Sequence, residues 1–285
     1  MILQIFVNGI MTGMTITLIA LGLSLVFGIL HIINLAHGEI YMLGGFGIWW
    51  FSAECGINYV LAAAITVTLV AFLGILIERL LLKPFRGNLA SGLIVSVGLM
   101  LILQTSALLV FGIADKAVPT PSVLEGTVSP FGISLPIARL SIIVIAGLLV
   151  LVLHLFIKYA KYGQAMRAVA QDEEAAALQG ININLICSLA MGIGCGLAAA
   201  AGCLMGFLFY VQPFMGAMLL MKALAAIVLG GMGSIPGTIV GGLIIGLVDS
   251  FGSTLLNTII ASMLVFLVMI VVLLVRPTGL FGHAE

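Results

Sequence analysis

The chain is 285 residues long, 63% hydrophobic and only 7% charged, with ten basic residues balancing ten acidic ones. A mean hydropathy of +1.36 excludes a soluble globular domain, whose charged fraction is usually about 25%, and the neutral balance gives no basic surface for nucleic acid. Several apolar runs exceed the roughly 20 residues that span a bilayer, so the sequence predicts an all-α polytopic helical membrane protein. We expect a single domain over 1–285, with about 8–10 transmembrane helices including interrupted or re-entrant segments.

Residues 3–29 form the first apolar segment, and because no Lys or Arg precedes Arg79 it lacks the basic start of a signal peptide and is expected to be retained. The more polar HIINLAHGE at 31–39 interrupts it before apolar character resumes at 40–53. A third span over 58–82 ends among Glu78, Arg79, Lys83, Pro84 and Arg86, a basic cluster expected on the cytoplasmic side. Residues 89–111 then cross outward. The following stretch, 112–139, carries Pro119, Pro121, Pro130 and Pro136 with Asp115, Lys116 and Glu125, shows no helical period, and reads as an extracytoplasmic loop. Residues 140–157 return inward to 158–184, a polar island holding six of the chain's 20 formal charges. After it come 185–210, a glycine-punctuated region at 214–251, and 254–275, closed by Arg276 and Pro277. Keeping the basic clusters on one side requires about nine crossings with the N-terminus outside.

Glycines recur four residues apart at Gly9 and Gly13, Gly192 and Gly196, Gly202 and Gly206, Gly237 and Gly241, and Gly242 and Gly246, a spacing that puts small residues on one helix face for close packing. The run LGGMGSIPGTIVGG at 229–242 is too broken for a continuous helix. Irregular backbone at membrane depth is tolerated when buried in protein or lining a watery path, so this run is either packing or a gate. Cys55, Cys187, Cys195 and Cys203 form no CxxC pair and read as packing residues.

The sequence contains no GxxxxGK[ST], HExxH or GxSxG, so neither a nucleotide site nor a hydrolase motif is present and no catalytic residue is assigned. His37 and Glu39, two apart, would point roughly 200° from each other on a helix, against a shared metal. Intramembrane polar residues are costly and by default suggest a path or a paired network; here they are Asn34, His37, Glu39, Gln104, Lys222 and Asp249. Four of them have a plainer alternative: Glu39 as a cap at a helix start, Lys222 as a side chain snorkelling to an interface, and Asn34 and His37 as partners for backbone freed at the break.

Within the polar island, residues 164–179 are nearly all good helix formers. Met166, Val169, Ala170, Glu173 and Ala177 share one face, and Gly180 is placed to end the helix. A short surface helix with an exposed small-residue face suits docking in a partner's groove. The alternative is an ordinary interfacial helix, although three consecutive acids at 172–174 disfavour adsorption to an anionic leaflet.

The blocks LVFGILHIINLAHGEIYMLGG, ERLLLKPFR, GQAMRAVAQDEEAAALQGI, KALAAIVLGGMGSIPGTIVGGLIIGLVD and RPTGLFG carry, over essentially the whole chain, a resemblance to the permease subunits of branched-chain amino acid ABC importers, in particular the first of the two homologous permeases. The resemblance implies that 163–181 is an EAA-type loop, matched as Glu174, Ala175, Ala176, three residues, then Gly180. Gly163, Arg167, Asp172, Glu174, Ala175, Ala176 and Gly180 are then expected to couple to an ATPase. Asn34, His37, Glu39, Gln104, Lys222, Gly230, Gly231, Gly233 and Ser234 are the expected pathway residues, with no metal.

It further implies a heteromeric complex in a bacterial-type inner membrane, with a second homologous permease, two cytoplasmic ATPase subunits that bind ATP and Mg, and an extracytoplasmic binding protein. This chain would carry no cofactor. Asp249 stands where the family pattern suggests Glu. Alternatives are a urea or short-amide importer of the same architecture, a stand-alone secondary transporter using Glu39 or Asp249 for ion coupling, and, with only its helical class in favour, an intramembrane hydrolase.

Overall fold

A computed structural model describes residues 2–128 and 134–281; Pro130, named above, and Gly282, the last residue of the RPTGLFG block, lie outside them. The helices are α1 Ile2–Leu30, α2 His37–Trp49, α3 Tyr59–Ile77, α4 Leu89–Phe111, α5 Ile137–Tyr159, α6 Lys161–Gln171, α7 Glu173–Leu178, α8 Ile183–Gly206, α9 Met215–Gly230, α10 Ile235–Leu255 and α11 Thr258–Val275. Among the described residues seven stretches are long and apolar enough to cross a membrane, while α2 and α9 are shorter, at 13 and 16 residues. The glycine-rich region thus supplies one short helix and one of spanning length.

Several spans begin with the same chemistry. Asn58, Asn88, Asn182 and Asn257 each accept a backbone N–H of the first turn, from Val60, Ser91, Leu185 and Ile260 respectively, a cap that contributes about 1 kcal/mol. At the end of α3 a π-helical turn, Glu78–Leu82, and the short Lys83–Phe85 turn extend the same span.

Close packing of small residues decides which helices are central. The apolar windows of α1 and α8 are each 78% buried, against 17% for α4 and 11% for α11. Gly9 and Gly13 abut α10, whose Gly242 and Gly246 return the contact at Thr17 and Gly13. Gly237 and Gly241 meet Gly230 and Ala226 of α9, Gly192 and Gly196 meet Ile75 and Ala71 of α3, and Gly202 and Gly206 meet α2 at Tyr41 and Ile48. Each four-residue pair therefore addresses one neighbouring helix, and backbone approach replaces the hydrophobic driving force missing in lipid. Cys187, Cys195 and Cys203 are free and buried along α8, and Cys195 lies directly under Gly74 of α3.

The two ends of the bundle differ. One gathers the basic clusters around Arg79 and Lys83 and around Lys158 and Lys161, together with α6 and α7. The opposite end holds the 112–139 stretch, which is not wholly irregular. It forms a short 3-10 turn at Ser122–Leu124 and a two-residue antiparallel pair, β1 Thr127–Val128 with β2 Leu135–Pro136. There Lys116 pairs through its backbone with Val211, and Arg139 donates to the Asn8 side chain at 2.5 Å.

Candidate functional site

At the basic end a cavity of about 1080 Å³ opens among the ends of α1, α5, α6 and α10. Its walls bring together two sets of residues singled out from sequence: Arg167 of α6, and Gly233 and Ser234 of the glycine loop. His31, His154 and Lys158 join them, so the charged lining is basic. His31 ends α1 in the left-handed region, with φ of 53°, a conformation usually left to glycine or asparagine. Arg167 crosses the mouth and donates through Nη2 to the Lys158 carbonyl at 3.3 Å.

The glycine loop is built to be rigid. Gly231 and Gly233 take φ of 101° and 81°, which side chains rarely adopt. Ser234 then caps α10, its Oγ accepting from the Gly237 N–H at 3.2 Å, with Pro236 in the first turn. Gly230 packs backbone to backbone on Gly237. The chain's closing residues lie across the loop as a strap: Leu280 and Phe281 donate their N–H groups to the Leu229 and Gly230 carbonyls at 2.9 and 3.0 Å. This use of the RPTGLFG block was not legible in its composition.

One expectation for residues 164–179 is corrected, and a second holds for part of its face. The segment is not one helix: Asp172, with φ of −158°, separates α6 from α7, and its carboxylate accepts from the Ala175 N–H at 2.9 Å. A side chain that caps locally outcompetes continuation of the helix. Of the face named from sequence, Met166 and Val169 are buried against the protein's own helices, together with Gly163 and Ala176, whereas Ala170, Glu173 and Ala177 are exposed. A methyl on Gly163 would overlap the Phe156 carbonyl.

What α7 exposes instead is Leu178, 87% accessible, flanked by exposed Glu174, Ala175 and Ala177. Gly180 closes α7 with φ of 82°; its N–H bonds to Ala177 O and that of Ile181 to Ala176 O, at 2.9 and 3.2 Å. That pair of bonds is the glycine C-cap anticipated from sequence.

The predicted pathway residues are not gathered in one place. Asn34, His37 and Glu39 lie deep in the bundle at the α1–α2 break, each at most 1% accessible. Asn34 Oδ1 accepts from the Ala36 N–H at 3.1 Å and its carbonyl from the His37 N–H at 3.2 Å, so this side chain holds the break. Asn34 Nδ2, both His37 ring nitrogens and Glu39 Oε2 have no partner among the described residues. Glu39 sits in the first turn of α2, a position that favours an acidic residue, but its carboxylate makes no capping hydrogen bond among the described residues. Gly38 packs on Gly216, so the two short helices α2 and α9 meet at their N-termini. Gln104 is half-buried on peripheral α4, away from both seams. Lys222 does not snorkel: its Nζ lies 2.7 Å from Asp249 Oδ1 across the α9–α10 seam.

Sequence reasoning missed a polar network at the basic end. Glu78 is fully buried, paired with Arg86, and accepts from Ser188 Oγ at 2.6 Å. Arg79 Nε donates to Ser188 Oγ at 3.2 Å, and Arg86 Nη1 to Asn184 at 2.9 Å. It ties the end of α3 to the start of α8. The available signal was an acid and a base, Glu78 and Arg79, lodged inside an apolar run. Ser96 was also unmarked; its Oγ accepts from the Leu35 N–H and lies within bonding distance of Ile33 O, both at 3.2 Å, anchoring the α1–α2 break to α4. Among the described residues no group of three His, Cys, Asp or Glu is placed to hold a metal ion.

Residues 5–273 match the family model described as branched-chain amino acid transport system, permease component. The chain is 37% identical over 296 aligned residues to the high-affinity branched-chain amino acid transport system permease protein LivH of Salmonella typhimurium, covering 99% of this chain and 96% of that one. The same values relate it to the corresponding BraD protein of Pseudomonas aeruginosa. A more distant relative, the probable LivH permease of Methanocaldococcus jannaschii, is 26% identical over 79% of this chain and 73% of its own. No solved structure matches.

Proposed function

This chain belongs to the branched-chain amino acid transport system permease family, and from that premise we propose that it forms half of an ATP-driven import pathway for hydrophobic, branched-chain amino acids. The observation that carries the reading is the basic-end cavity, which the α6–α7 hairpin, through α6, and the glycine loop line from facing sides. Short basic segments are retained on the cytoplasmic side, so this end faces the cytoplasm of a bacterial-type inner membrane.

On this reading α7 presents Leu178 and Gly180 to a cytoplasmic ATPase, while buried Gly163, Met166, Val169 and Ala176 root the hairpin on the bundle. ATP and Mg are bound by two ATPase subunits, a second homologous permease completes the pathway, and an extracytoplasmic binding protein delivers the substrate. Arg167 couples hairpin position to the mouth, where Gly231, Gly233 and Ser234 fix the start of α10. The rival with a stand-alone mechanism would need ion coupling through Glu39 or Asp249.

The test is reconstitution of the chain with its partner subunits in proteoliposomes. Leucine uptake is expected to require ATP and both ATPase subunits. Uptake sustained by an ion gradient with this chain alone would refute the reading.

A further inference from the structure

The ion pair between Lys222 and Asp249 is unusual in its position. Both residues lie well inside helices, Lys222 seven residues into α9 and Asp249 fourteen into α10, yet their side chains remain 12% and 14% accessible. A charge at the centre of a transmembrane helix costs about 2.5–3.5 kcal/mol on insertion, and such groups face a bundle interior or a watery cavity rather than lipid. The accessible side of this pair therefore marks a face of the subunit that lipid does not cover.

The rest of that face has a distinctive chemistry. Phe214, which precedes α9, and Met218 and Met221 within it are exposed and lie along one stripe, with Lys222 at its edge. Methionine is flexible and polarizable and adapts to apolar shapes that differ by branching. An adaptable apolar strip beside a paired cation and anion matches a free amino acid with an aliphatic side chain, which carries a carboxylate and an ammonium on one carbon.

We propose that this face is a substrate-contacting station of the pathway, in which the substrate's carboxylate engages Lys222, its ammonium engages Asp249, and its aliphatic side chain lies on Met218 and Met221. The assignment rests on the import function proposed above and adds to it the residues that read the zwitterion. Exchange of one ion pair for two leaves no charge unpaired at any stage, which matters where an unpaired buried charge is strongly destabilising.

Inverting the pair separates this role from a structural one. The double variant Lys222→Asp with Asp249→Lys preserves an ion pair but reverses its polarity. In proteoliposomes containing the complete transporter, ATP-driven leucine uptake by this variant is expected to fall at least about tenfold, a difference of roughly 1.4 kcal/mol, with subunit assembly intact. Uptake within about twofold of wild type would show that the pair only joins α9 to α10 or to the second permease.

Should the inverted variant fail to assemble, the exposed pair Met218→Ala with Met221→Ala gives a second reading. It is expected to assemble normally and to lower the leucine uptake rate at least about fivefold, through lost apolar contact; an unchanged rate overturns the assignment. A wild-type complex that shows no ATP-driven leucine uptake would instead overturn the function on which the assignment rests.

Discussion

Leu178 offers the sharpest test of the coupling role. It is the exposed apolar side chain at the tip of α7, 87% accessible, on a helix whose other end is fixed by the Asp172 cap and whose C-terminus is fixed by Gly180. Leu178→Ala removes three carbons that the fold does not need, so the variant's own stability should change by no more than about 0.5 kcal/mol. If the side chain is buried on docking, each lost methylene equivalent costs about 0.8 kcal/mol, giving about 2.4 kcal/mol and a roughly 50-fold weaker complex. The measurement is the affinity of the purified ATPase subunit for this permease and its homologous partner in nanodiscs, with thermal unfolding of the same sample as control. An affinity within about twofold of wild type would remove α7 from the docking surface.

Two further substitutions test the scaffold behind that tip. Gly163→Val inserts atoms where the Phe156 carbonyl already lies, so overpacking should cost about 1–3 kcal/mol and lower the thermal midpoint in detergent; an unchanged midpoint would mean that α5 and α6 can separate freely. Ser188→Ala withdraws the donor from fully buried Glu78, and leaving that acceptor short should cost about 1–3 kcal/mol, read as lower thermal stability. No loss would place water in the role given to Ser188.

The helical class, the glycine seams, the glycine end of α7 at Gly180 and a break within 229–242 were legible because each depends on local periodicity or on one residue's own chemistry. The break at Asp172 was not. Helix propensity over 164–179 favours continuity, and only the competing bond from the Asp172 carboxylate to the Ala175 N–H turns one helix into two. The orientation of Met166 and Val169 was hidden for a different reason: an apolar stripe specifies that something must cover it, not whether the cover is the chain's own α5 and α8 or another protein. Lys222 and Asp249, 27 residues apart, and Glu78 and Ser188, 110 apart, become partners only through the crossing of helices that no local pattern encodes.

The connections around the cavity bear on how force would pass through the subunit. α5 and α6 are joined by the single residue Ala160, and α6 and α7 by the single residue Asp172, so no flexible linker lies between the tip at Leu178 and the wall carrying His154 and Lys158. On the opposite wall, the first turn of α10 is held by Ser234 and by the strap from Gly279 to Phe281, which bonds the last carbonyls of α9. A push on α7 is therefore not absorbed near its point of application. It must move α6 with the end of α5 relative to α10, and the space between those two bodies is the cavity itself. Closely packed interfaces shift between discrete arrangements rather than deform continuously, and the backbone contacts of Gly163 on Phe156 and Gly230 on Gly237 make both bodies stiff. On the function proposed above, an ATPase that changes the position of α7 would therefore act on the width of the mouth at the basic end.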